Sequence, residues 1–212
     1  RILGAVSTVF AASSSKNDHS IALSIVAPHL APEVPVIRLA FPMTRDQAAL
    51  DTAWRANAAA MAGVLVSGRD AAFITLGDPL LYSTFGYVLP LVTELLPGLD
   101  VTVVPGVTSF QAAAAATGTI LAASGENLLV ASGVDAPERL RRTLAMADNA
   151  VILKAYRQFP RLRALLTEMG LAHGTTFVTR LGHDGEAVER DLAKAPDAPK
   201  PGPTAIELIE KG

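Results

Sequence analysis

Short runs of β-branched and aliphatic residues alternate with longer stretches of helical period along the 212-residue chain. That alternation points to α/β architecture, in which buried strands are short and apolar and the helices between them bury one stripe. Residues 6–11, 34–41, 71–76 and 100–104 read as strands in the first half. Residues 21–30 read as a helix. A second helix is expected behind Thr44 and Gln47, which have capping-box spacing, with Leu50, Trp54, Met61 and Leu65 on one face. Residues 82–96 also have helical period, although Pro90 should kink or split them. The alanine-rich stretch 109–117 reads as a helix whose small side chains let it pack close to its neighbours.

The alternation then begins again. Residues 118–126 read as a crossing, so lobes are expected over 1–118 and 119–212. Strands at 128–132, 150–155 and 176–181 enclose helices at 137–147 and 160–170. Residues 186–192 and 204–210 alternate with no helix between them, which suggests an antiparallel pair joined by the Pro-rich link 196–203. The expected fold is two α/β lobes with a cleft between them.

Composition narrows the function classes. Half of the residues are hydrophobic, ample for a core, while 18% are charged and the net charge is −2. A duplex nucleic-acid partner would need a basic excess that this chain lacks, although a few local arginines could still hold a small anion. With no cysteine, disulfides, thiolate catalysis and Cys-ligated metal centres are excluded. No stretch approaches the ~18 uninterrupted apolar residues of a spanning helix. Arg1-Ile2-Leu3 does not open a signal peptide. A cytoplasmic protein with no membrane partner is therefore expected.

Two turns carry the candidate chemistry. Leu76-Gly77-Asp78-Pro79 follows an apolar strand, where ligands bind in open α/β sheets. Glycine permits close backbone approach, and Asp78 offers a carboxylate either to a ligand or to the next helix as its N-cap. Taken alone, these four residues fit an ordinary strand-to-helix turn with Asp78 as N-cap somewhat better. Val104-Pro105-Gly106-Val107-Thr108-Ser109 follows the next strand and leads into a helix that Thr108 or Ser109 could cap. Two such turns at successive strand ends suggest one pocket. Gly182-His183-Asp184-Gly185 fits a solvated hairpin better than a metal or acid–base loop. His19, His29 and His173 have no ligand spacing, and Arg139, Arg141 and Arg142 read as a solvated helix face.

Taken together, residues 73–82 (FITLGDPLLY) and 103–110 (VVPGVTSF) resemble the tetrapyrrole methylases, in motif, order and spacing. The resemblance covers essentially the whole chain. Residues 3–12, 23–30, 41–43 and 150–156 (AVILKAY) look like the branch that methylates C20 of precorrin-2. Residues 22–26 (ALSIV) and 41–44 (FPMT) lean toward cobalt-factor II as substrate. The resemblance implies a mostly parallel sheet in the N-terminal lobe, a mixed sheet in the C-terminal lobe, and a homodimer. It also implies S-adenosylmethionine as methyl donor, S-adenosylhomocysteine as product and no protein-bound metal. Leu76, Gly77, Asp78, Leu81, Thr108, Ser109, Lys154 and Gly182 match cofactor-holding positions, and Tyr82 a substrate position. No catalytic side chain is implied. The family's opening strand and Gly-x-Gly-Pro-Gly-Asp-Pro loop are not among these 212 residues; a leading segment is expected to have been trimmed before Arg1, and its true deletion would cost the cleft one wall. Pro203-Thr204-Ala205 also departs from the family's Pro-Tyr-Phe-Ser. The other readings are a C1/C2/C7, C11, C17 or uroporphyrinogen-III methylase, a diphthine synthase, a ribosomal-RNA ribose methylase, and a non-catalytic small-ligand-binding module.

Overall fold

The computed structural model describes residues 2–14, 20–132, 136–154, 158–195 and 206–210. The Pro-rich link 196–203, residues 204–205 and His19 lie outside them. Two compact units divide the chain, Arg1–Val107 and Thr108–Gly212. The boundary falls before the alanine-rich helix rather than after it at 118/119. Packing explains the difference, because Phe110, Ala113 and Ala114 of that helix are buried against Val151 and Val178 of the second unit's sheet.

In the first unit, β1 (Thr8–Ser14), β2 (Val36–Phe41) and β3 (Ala71–Ile74) form a parallel sheet in the order β2-β1-β3. Helices cover both faces. Phe10 and Phe41 pack with Ala58, Met61 and Val88 of α2 (Gln47–Leu65) and α3 (Phe85–Leu95). Val9, Ala11 and Ile74 face Ala22, Leu23 and Val26 of α1 (Ile21–Val26). This two-sided burial makes β1 a continuous apolar run, as parallel strands between helix layers require. The strand runs on to Ser14, past the expected 11, because Ala12, Ser13 and Ser14 pair with Leu39, Ala40 and Phe41. Pairing, not hydropathy, sets that end.

Three local expectations change. Asp46, not Thr44, caps α2, its carboxylate accepting from the backbone N–H groups of Ala48 at 3.0 Å and Ala49 at 3.3 Å. Thr44 Oγ1 instead accepts from the Asp46 N–H, one step upstream. Pro90 lies inside a single helix that begins at Phe85 rather than 82. Proline lacks the N–H that would bond to the carbonyl of Gly86, in the helix's first turn, so the interruption falls near an end. Residues 101–104 keep the expected alternation, Val101 and Val103 packing on the core while Thr102 and Val104 are exposed. They have no ladder partner among the described residues and form no strand.

The second unit holds β4 (Leu128–Ser132), β5 (Asn149–Leu153), β6 (Thr175–Thr179), β7 (Ala187–Glu189) and β8 (Ile206–Glu210). Their order is β4-β5-β8-β6-β7. β4 and β5 are parallel, and the remaining pairs are antiparallel, giving the mixed sheet. The pairing expected between the last two strands does not occur: β6 lies between β7 and β8. The reason is burial on both faces of β6. Phe177 packs with α5 (Pro137–Met146) and α6 (Phe159–Glu168), and Val178 with α4 (Ser109–Thr117), so β6 belongs inside the sheet. Ala187 and Val188 are exposed, as an edge strand tolerates.

Candidate ligand-binding loops

β3 ends at Ile74, and the ten residues before α3 form a loop rather than a direct strand-to-helix turn. Thr75 Oγ1 and Ser83 Oγ are hydrogen-bonded at 3.0 Å and close the loop at its base. Ser83 Oγ also accepts from the Phe85 N–H at 3.2 Å, tying the loop to the first turn of α3. Gly77 has φ +77° and Tyr82 has φ +52°, so the backbone turns through the left-handed region twice. Such a conformation is uncommon for a bulky non-glycine residue and persists where its surroundings hold it. The result displays apolar side chains: Leu76, Leu80, Leu81 and Tyr82 are between 40% and 62% exposed.

Asp78 does not cap the next helix. Thr84 occupies the N-cap of α3, without a side-chain cap bond. The two oxygens of the Asp78 carboxylate are instead divided between two loops. Oδ1 accepts from the Leu80 N–H at 2.9 Å within its own turn. Oδ2 accepts from the Gly106 N–H at 3.1 Å, 28 residues away. The Gly106 N–H, followed by that of Leu80, holds the Asp78 carboxyl below the usual carboxylate range, because both bonds favour the charged form. At Gly106 a Cβ would collide with the Gly77 carbonyl oxygen and lie 2.9 Å from the carbonyl carbon. Only glycine lets these backbones approach so closely. Gly106 is the residue that sequence reasoning passed over. Its one signal, a glycine after Pro105, equally describes a turn.

In the second unit, Thr108 is the N-cap of α4 in a reciprocal capping box. Its hydroxyl accepts from the Gln111 N–H at 3.3 Å, and Gln111 Oε1 accepts from the Thr108 N–H at 3.0 Å. The capped-helix reading of this motif is thus realised. Ser109 begins the helix, half-buried. Lys154 follows β5 directly, exposed and with φ +60°. Gly182, at φ +75°, sits in the turn between β6 and β7, and its N–H donates to Glu186 Oε2 at 2.7 Å. Because β5 and β6 are each antiparallel to β8, Lys154 and Gly182 follow strands that finish at the same end of the sheet. The 182–185 segment is the exposed hairpin turn expected. No group of three or more His, Cys, Asp or Glu residues with metal-holding geometry occurs among the described residues. No helix of the described residues is long and apolar enough to cross a membrane.

Comparison with known proteins connects this geometry to a family. The tetrapyrrole (corrin/porphyrin) methylases match residues 1–197. A cobalt-precorrin-2 C(20)-methyltransferase from Salmonella typhimurium is 34% identical over 199 residues, 93% of this chain and 82% of the relative. A precorrin-2 C(20)-methyltransferase from a Sinorhizobium species is 30% identical over 182 residues, 82% of this chain and 73% of the relative. The fold agrees as well. Uroporphyrin-III C-methyltransferase from Thermus thermophilus, solved with S-adenosylhomocysteine, aligns with a TM-score of 0.61 at 21% identity, over 97% of this chain and 86% of that one. On sequence and fold alike, the chain belongs to the tetrapyrrole (corrin/porphyrin) methylases.

Proposed function

We propose that the chain transfers a methyl group from S-adenosylmethionine to C20 of precorrin-2 in cobalamin biosynthesis, with the cobalt-bound substrate, cobalt-factor II, preferred. The observation that carries this reading is the 34% identity to the Salmonella C20-methyltransferase across nearly the full chain. The Sinorhizobium relative, named for precorrin-2 without cobalt, supports the same carbon and leaves the metal-free substrate as the second reading. Leu76, Gly77, Asp78 and Leu81 of the first unit, with Thr108, Ser109, Lys154 and Gly182 of the second, are the proposed cofactor residues, and Tyr82 the proposed substrate residue. The reading includes a homodimer in the cytoplasm and no metal held by the protein itself.

The residues fit such a cofactor. Exposed Leu76, Leu81 and Tyr82 offer apolar surface suited to a partly apolar ligand. When bound, S-adenosylmethionine supplies a methyl group already activated by its sulfonium charge. The chain's residues then have to bind both reactants, align them in line and keep water out. Orientation of this kind is worth roughly 7–11 kcal/mol in well-arranged systems, so no protein nucleophile is required. Isotope-labelled S-adenosylmethionine incubated with cobalt-factor II or precorrin-2 tests the reading. One methyl group should appear on the tetrapyrrole at C20. Binding of the methyl donor without transfer to either tetrapyrrole would point instead to a ligand-binding module.

A further inference from the structure

We infer that the Asp78 side chain is a positioning group, whose carboxylate fixes the Gly106 backbone against the Gly77 carbonyl and so sets the shape of the cofactor site, leaving the backbone of Asp78 to meet the cofactor. The inference deepens the proposed function and rests on it. Both carboxylate oxygens are committed to backbone N–H groups, one of them 28 residues distant. The partner of the distant bond is a glycine whose Cβ would collide with the neighbouring loop. Bond and close approach therefore form one device: the first draws the loops together, and the second requires that nothing stand between them. The clasp between Thr75 and Ser83 fixes the other end of the same loop. A carboxylate suits the task because it is acceptor-only, whereas an amide would turn its NH₂ toward one of the two N–H donors.

A double-mutant cycle on the full chain, read by calorimetry with S-adenosylmethionine and S-adenosylhomocysteine, tests the assignment. Asp78→Ala and Gly106→Ala should each weaken both ligands by more than about tenfold, and the double variant should be no weaker than the poorer single variant within about twofold. The two ligands differ by the sulfonium charge, so a residue acting through backbone shape lowers both affinities by the same factor. In turnover, the KM for the methyl donor should rise while that for the tetrapyrrole stays unchanged. Additive losses, or a loss for S-adenosylmethionine several-fold larger than for S-adenosylhomocysteine, would show that the Asp78 side chain contacts the ligand directly. Hydrogen exchange of the unmutated chain decides the matter even if a variant fails to fold. The Gly106 amide should be protected relative to that of Val107, and exchange at the unprotected rate would overturn the assignment. Failure of the unmutated chain to bind either ligand would instead count against the methyltransferase reading, with the exchange measurement still deciding whether the latch exists.

Discussion

Two turns in this molecule place glycine beside aspartate, and they use their polar groups in opposite ways. In the turn between β6 and β7, every bond closes locally. Arg180 Nε donates to the Asp184 carbonyl at 2.6 Å, the His183 N–H to the Arg180 carbonyl at 2.9 Å, and the Gly182 N–H to Glu186 Oε2. In the loop after β3, Asp78 bonds to Gly106 across 28 residues. A self-contained turn can form before the rest of the fold exists. The Asp78 bond needs two loops already in place, so its geometry reports the fold and persists with it. Both turns hold a glycine and an aspartate, but the loop after β3 reaches a partner far along the chain while the turn between β6 and β7 closes on itself.

The sharpest way to break this contrast is to add one methyl group to each turn. Gly106→Ala places its Cβ against backbone, which cannot swing away, so an overpacking cost of about 1–3 kcal/mol is expected. S-adenosylhomocysteine affinity should fall by about 10–100-fold in calorimetry. In Gly185→Ala the new Cβ meets the Arg180 side chain at 3.3 Å, a flexible neighbour, although φ of +82° carries its own cost. That variant should lose about 1–2 kcal/mol of stability and leave affinity unchanged. Equal losses of affinity in the two variants would erase the distinction. The same pairing with the carboxylates is next in size. Asp78→Ala should weaken the ligand more than about tenfold, whereas Asp184→Ala should stay within about 0.5 kcal/mol in both stability and affinity.

Thr108 sharpens the comparison from the second unit. Its capping box predicts a loss of about 1 kcal/mol of stability in Thr108→Ala, seen as a lower midpoint in chemical denaturation. If the cap is its whole role, ligand affinity stays unchanged; an additional loss of affinity would assign it to the cofactor as well. Legibility divides the same way. Thr108 as a candidate cap and the short apolar strand β1 are visible in sequence, because each depends on neighbours or on period; the mixed sheet follows from the family resemblance. What failed depends on distant partners. Residues 100–104 have a strand's alternation but no ladder among the described residues, and β7 and β8 are strands that pair with β6 rather than with each other; Thr44 losing its cap to Asp46 is instead a local choice between two side chains within three residues. The candidate site falls in both classes. Its two motifs were evident as loops at successive chain positions, but that Asp78 would reach Gly106, and that Gly106 must be glycine, is a fact about two backbones meeting in space.

The smallest expected effect is a flat response to pH, and its sign follows from that meeting. Bonds from the Gly106 and Leu80 N–H groups lower the Asp78 carboxyl relative to its ordinary 3.8. A carboxylate depressed in the folded state contributes stability that is present above its unfolded value and lost as pH falls through its folded value. The latch should therefore be intact from about pH 5 to 8, and protection of the Gly106 amide should fall only below 3.8. Global unfolding is the wrong readout. Asp191 in the second unit is also depressed: burial raises it, but the bonds from His173, Lys194 and the Ala193 N–H together outweigh burial. Both carboxylates destabilise the chain on acidification, so a melting curve would merge them, whereas exchange at Gly106 isolates the first. Asp78→Asn removes the titrating group and should abolish the acid step in Gly106 protection, corrected for intrinsic exchange. Persistence of that step in the variant would assign it to another group, and the long-range bond would lose its claim to hold the loop.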